Sequence, residues 1–90
     1  ELEEETGFVA GKIHPLTSIF TTPGFTNEEI HIFQASELTK GAVHRDQDEF
    51  IEVVELPLSK VMEMVRTGEI RDGKSLIGLL LVDRLRREKD

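Results

Sequence analysis

The chain has 90 residues, 38% apolar and 32% charged, with 18 acids against 11 bases and a net charge of -7. That allows one domain at most, with a lean core, since a chain this short buries only about 60–65% of its unfolded surface, and the composition is that of a soluble globular protein. The acidic balance excludes nucleic acid as a main partner, which needs clustered Lys and Arg; the lack of cysteine excludes disulfides and thiolate metal sites; the longest apolar run, Leu79 to Val82, is far too short to cross a bilayer.

Residues 1–6, ELEEET, are good helix formers, and Gly7 is the usual left-handed stop after a last helical turn. The chain therefore opens on the end of a helix. Val9 to Thr22 mixes β-branched and aromatic residues and predicts one long strand or two short ones, with Pro15 pointing to an edge or a bulge. Pro23 to Asn27 is a turn-rich loop. Glu28 to Leu38 is a second strand on the apolar spine Ile30, Ile32 and Phe33, and Thr39 to Gln47 reads as a polar loop. Phe50 to Leu56, FIEVVEL, predicts a third strand that Pro57 ends. Leu58, Val61, Met62 and Val65 stand at helical spacing and predict an amphipathic helix over Leu58 to Thr67, closed by Gly68. A last helix runs from about Lys74 to Arg87, with Asp72 as candidate cap. Its apolar residues wrap most of the way round, so it is expected to lie against a sheet and another element as well.

Residues 68–75, GEIRDGKS, fit the phosphate-loop pattern G-x-x-x-x-G-K-[ST] letter for letter. The context is wrong for it. A phosphate loop follows a buried strand, whereas a helix precedes this stretch, and Glu69 and Asp72 stand where backbone amides would cradle phosphate. The stretch predicts a turn between helices.

Four of the first five residues are carboxylates. On a helix Glu1, Glu4 and Glu5 share one face, with no Lys or Arg along the chain before Lys12. Like charges so placed are mildly destabilising. Two readings stay open on spacing alone. One is a solvated acidic face. The other is a hard-oxygen site for Mg²⁺ or Mn²⁺, which could place a divalent cation between this acidic chain and a phosphorylated substrate. His14, His31 and His44 are 13 or more residues apart and read as surface or strand histidines, since zinc sites usually show close-spaced pairs.

Residues 1–8, ELEEETGF, resemble the second half of the Nudix box, G-x5-E-x7-R-E-U-x-E-E-x-G-U, where U is bulky and apolar. Glu1 falls on the Glu after the box Arg, Leu2 on U, Glu4 and Glu5 on the paired acids, Gly7 on the Gly and Phe8 on the last U. Within that family the ADP-ribose pyrophosphatases carry a Pro about sixteen positions past the box Gly, where Pro23 stands. Residues 22–28, TPGFTNE, are similar to their S-P-G-x-x-x-E stretch, and residues 69–75 look like their entry to the final helix.

The resemblance implies an α/β class: a partial Nudix fold, a mixed β-sheet flanked by the end of the Nudix helix and two C-terminal helices. Residues 1–90 would be the C-terminal portion of a single Nudix domain, with the N-terminal strands and the first half of the box outside it. An apolar sheet face that those strands would cover is then expected to be exposed. The implied activity is hydrolysis of a nucleoside diphosphate linked to another group, foremost ADP-ribose to AMP and ribose 5-phosphate, with Mg²⁺ (or Mn²⁺) held by Glu1, Glu4 and Glu5. Glu49 is the implied catalytic base, on a polar loop before the FIEVVEL stretch, with Glu52 the second candidate. Pro23, Gly24 and Phe25 would shape the substrate loop, and Glu28 would accept from a ribose hydroxyl. Within the enzyme class ADP-glucose and GDP-mannose stay open as substrates. Outside it stands a non-catalytic Nudix-like sensor that binds a nucleotide sugar. The resemblance further implies a homodimer. The acidic start lacks the pattern of a secretory signal, so the cytoplasm is the expected compartment.

Overall fold

The computed structural model describes residues 2–41 and 52–89. In chain order they form α1 (Leu2–Thr6), β1 (Phe8–Phe20), β2 (Glu29–Lys40), α2 (Leu58–Thr67) and α3 (Gly73–Lys89). β1 and β2 pair as an antiparallel hairpin, the one sheet among the described residues. The chain divides into two compact units, Glu1–Ile13 with Ala35–Glu55, and His14–Gln34 with Leu56–Asp90, and the hairpin contributes strand to each.

Two strand expectations hold with shifted ends. β1 is a single strand that runs through Pro15, and β2 continues through Thr39 and Lys40, which the sequence places in a loop. The third strand is a correction. Residues 52–56 carry no strand, and Phe50 and Ile51 lie outside the described residues. Val53, Val54 and Leu56 are exposed. The β-branched pattern there is a strand preference, and a preference becomes a strand only against a partner edge. Among the described residues the sheet is two-stranded and antiparallel, and with the helices it is consistent with the expected partial α/β fold.

In the first unit α1 is a single turn tied down at its end. Gly7 leaves the helix with φ 80° and is buried. Its N–H donates to the Glu3 carbonyl at 2.8 Å. Thr6 Oγ1 donates to the Leu2 carbonyl at 2.7 Å and accepts from the Phe8 N–H at 3.1 Å. Further along the hairpin, Glu37 adopts a left-handed φ of 52° inside β2. This marks a bulge-like kink. A side chain on Gly11 across from it would come within 2.9 Å of both Glu37 Cβ and Glu37 O. Lys12 Nζ lies 3.5 Å from Glu37 Oε1, an exposed pair.

In the second unit α3 is the centre. Leu76 to Leu79, Leu81 and Val82 are half-buried, as expected of a helix covered on more than one side. Gly78 faces Ile32 of β2, and α2 packs along α3. No apolar side chain among the described residues is fully buried, and Leu80 stays 52% exposed. The helix ends follow local chemistry. Gly68 closes α2 with φ 85°, its N–H meeting the Val65 carbonyl, while the Glu69 and Ile70 N–H groups return to the Met64 carbonyl. Asp72 caps α3 by accepting from the Ser75 N–H at 3.0 Å and from Ser75 Oγ at 2.9 Å. Residues 68–75 are therefore a helix–turn–helix link and not a phosphate loop. No helix among the described residues is long and apolar enough to cross a membrane.

Candidate functional site

α1 carries the acidic stretch. Its helical backbone runs from Leu2 to Thr6 and so includes Glu4 and Glu5, while Glu1 and the side chain of Glu4 lie outside what the structure describes. Glu5 is exposed and Glu3 is half-buried. Among the described residues no three His, Asp or Glu side chains converge. Glu5 presents an exposed carboxylate on a helical turn, and carboxylate oxygen is the ligand Mg²⁺ and Mn²⁺ take.

Glu49 lies outside the described residues. Glu52 is described and exposed, in a segment with no regular structure.

In the second unit Pro23, Gly24, Phe25 and Glu28 belong to one connection, the loop of the hairpin. The Phe25 and Thr26 N–H groups both return to the Thr22 carbonyl at 3.1 Å, which folds residues 22–26 into a turn. Gly24 takes φ 92°, and Phe25 is 88% exposed. Glu28 is held at the loop's exit. Its Oε1 accepts from Thr21 Oγ1 at 2.7 Å, and its N–H reaches Thr26 Oγ1 at 3.4 Å. A carboxylate has about four acceptor positions, so one hydroxyl leaves capacity for more. Glu28 lines a cleft of about 470 Å³ with Phe20, Thr21, Asp72, Lys74 and Ile77. Asp72 is held below the usual carboxylate range, first by the Ser75 N–H, then by the Ser75 hydroxyl and Lys74, so the acid at the cleft's α3 side is ionised at neutral pH.

Sequence reasoning missed Thr21 and the α3 side of this cleft. A signal for Thr21 existed, since a Thr next to a Pro-Gly turn commonly bonds back across it. Nothing in the sequence places Asp72 and Lys74, some forty-five residues on, beside Glu28. His31 behaves as a strand residue, with Nδ1 3.1 Å from Ser18 Oγ and Nε2 3.5 Å from Glu29 Oε1.

No protein-family model matches the chain. Individual proteins do. It is 43% identical over 77 residues to the ADP-ribose pyrophosphatase of Bacillus subtilis (strain 168), an alignment covering 83% of this chain and 42% of that protein. It is 41% identical over 80 residues to the GDP-mannose pyrophosphatase of Escherichia coli (strain K12), covering 86% of this chain and 42% of that one. The chain thus spans about two fifths of the length of the curated relatives it matches. Both relatives are Nudix hydrolases. Identity at this level across most of the chain accords with the resemblance carried by the half-box, the Pro23 loop and the α3 entry: the chain is similar to Nudix hydrolases.

Proposed function

We propose that the protein carrying this chain is a metal-dependent pyrophosphatase that hydrolyses a nucleoside diphosphate linked to a sugar. ADP-ribose is the foremost substrate: water adds across the P–O–P bridge, giving AMP and ribose 5-phosphate. The observation that carries this reading is the 43% identity over 77 residues to a protein named ADP-ribose pyrophosphatase. GDP-mannose is the second reading, favoured by the 41% identity to a protein named for it.

Glu1, Glu4 and Glu5 would hold Mg²⁺, with Mn²⁺ as substitute. When bound, such a cation neutralises diphosphate charge and acidifies coordinated water. The chain's own residues would do the rest. Glu49 would take the proton of the attacking water, with Glu52 as the other candidate. Glu28 would accept from a ribose hydroxyl while Thr21 fixes its orientation, and the Pro23-Gly24-Phe25 turn would shape the sugar end of the site, where exposed Phe25 offers a face for stacking or packing. We further assign the protein to the cytoplasm and to a homodimer, both on the resemblance and composition.

The test is release of AMP from ADP-ribose by the natural chain, with and without Mg²⁺, beside GMP release from GDP-mannose. Metal-dependent AMP release that Glu5→Gln lowers by about tenfold to a hundredfold supports the reading. Metal-independent release, or full activity in Glu5→Gln, removes it. Retained nucleotide-sugar binding with no hydrolysis under any metal favours a sensor instead.

A further inference from the structure

The last turns of α3 carry the cations Arg84, Arg86, Arg87 and Lys89 beside the acids Asp83 and Glu88. Both acids are taken. Arg84 Nε lies 3.0 Å from Glu88 Oε1, and Arg87 Nε lies 3.2 Å from Asp83 Oδ2. A helix C-terminus favours cations for its own sake, but that does not explain why two of these stay unanswered. Arg86 and Lys89 form no ion pair among the described residues. They stand three apart on the helix, a like-charge spacing that is mildly destabilising by itself.

Arg86 and Lys89 line a cleft of about 320 Å³ that lies wholly within the second unit, between the end of α3 and the hairpin. β1 contributes His14 and Leu16, β2 contributes Gln34, and α3 adds Leu85. No carboxylate lines this cleft, whereas Glu28 and Asp72 both stand with Lys74 in the other, and the two clefts share no residue. On a chain of net charge -7, two free cations and a neutral amide donor are thus gathered from separate elements at one opening.

Two cations match a dianion. A phosphomonoester carries about -1.5 to -2 at neutral pH and presents three strong acceptor oxygens. A guanidinium can take two of them as a fork, while an ammonium acts as a point charge. A carboxylate would leave one cation unanswered. Leu16 and Leu85 give the carbon body of an ester an apolar wall.

We propose that this cleft is a second ligand site, outside the residues assigned to hydrolysis, and that it takes the phosphate of a phosphomonoester. The site stands without the hydrolase reading. Where that reading holds, AMP and ribose 5-phosphate both belong to the class the cleft accepts, so it would register product.

The test titrates the natural chain with inorganic phosphate in EDTA, so that no divalent cation can bridge an anion to an acid. Binding is read from the NMR shift of the Gln34 side-chain amide, with the thermal midpoint as a control for folding. The shift is expected to saturate, and the affinity to fall as salt rises. Arg86→Gln and Lys89→Gln should each weaken binding about tenfold, the order of one charge-assisted hydrogen bond lost. Arg84→Gln, whose partner is Glu88, should leave it near wild type. AMP and ribose 5-phosphate should compete with phosphate, and the monoanion acetate should not. A shift that never saturates overturns the proposal, as does wild-type binding by Arg86→Gln and Lys89→Gln. So does an equal loss in Arg84→Gln, or competition by acetate as strong as that by ribose 5-phosphate. The titration needs no catalysis, so a protein inert toward ADP-ribose would remove the hydrolase reading and leave this result intact.

Discussion

Gly68 and Gly73 lie five residues apart in the link between α2 and α3, and a side chain at either would meet nothing within 4 Å. They differ in backbone. Gly68 takes φ 85° and ψ 10° at the end of α2, whereas Gly73 is the first residue of α3 and is not left-handed. Alanine should therefore act in opposite directions at the two sites. At Gly68 a left-handed alanine costs roughly 1–2 kcal/mol, offset by about 0.4–1 kcal/mol of lost unfolded-state freedom. The net is a destabilisation of about 1 kcal/mol. At Gly73 only the second effect and the better helix propensity act, for a gain of up to about 0.5–1 kcal/mol. Urea unfolding with a slope of about 1–3 kcal/mol per molar would show Gly68→Ala lowering the midpoint by about 0.3–1 M and Gly73→Ala raising it. Gly68→Asn should fall between wild type and Gly68→Ala, since Asn tolerates this conformation. A neutral Gly68→Ala, or shifts of one sign at both sites, would show that backbone conformation does not control this link.

Asp72 supplies a pH test. Its folded pKa is depressed by the Ser75 N–H above all, so its charge-dependent stabilisation is present above the unfolded value near 3.8 and disappears as pH falls through the lower folded value. Asp72→Asn keeps a capping oxygen and removes the charge, so its thermal midpoint should lie below wild type at pH 7, and the gap should begin to close near the unfolded pKa and vanish only below the depressed folded one. A gap that persists in acid would contradict this. Thr21→Val breaks the 2.7 Å bond to Glu28; a hydrogen bond worth about 0.5–1.5 kcal/mol corresponds to a KM for ADP-ribose about two- to twelvefold higher with kcat little changed, and an unchanged KM would take Glu28 out of substrate binding. Glu49→Gln should lower kcat by about a hundredfold or more while Glu52→Gln leaves it near wild type; steady-state kinetics giving the reverse pattern would move the base to Glu52.

The helical half of the chain was legible because its signals are local. Gly68, Asp72 and the three- and four-residue spacing of Leu58, Val61, Met62 and Val65 each specify their structure within one or two turns, and each stands as read. The hairpin was legible except at its ends. The FIEVVEL stretch misled because strand preference says nothing about whether an edge is there to receive it. Glu37 was invisible for another reason: glutamate carries no preference for φ above zero, so its left-handed turn is imposed by the surroundings. For the site, spacing alone left the acidic opening as either a solvated face or a metal site, and the half-box tipped that balance. The Glu28–Thr21 bond and the cleft shared with Lys74 depend on tertiary placement that no local pattern encodes.

The kink at Glu37 has a bearing on how this hairpin can change. A one-residue slip between the strands would carry Glu37 away from bare Gly11 and set it against a neighbour with a side chain. Alignment is thus fixed within the ladder, well away from the turn at residues 22–26. A connection freed from that duty can gain or lose residues without shifting what lies on either strand. On the proposal that residues 22–28 shape the substrate site, a change of length there would alter the site while the ribbon beneath stays in step.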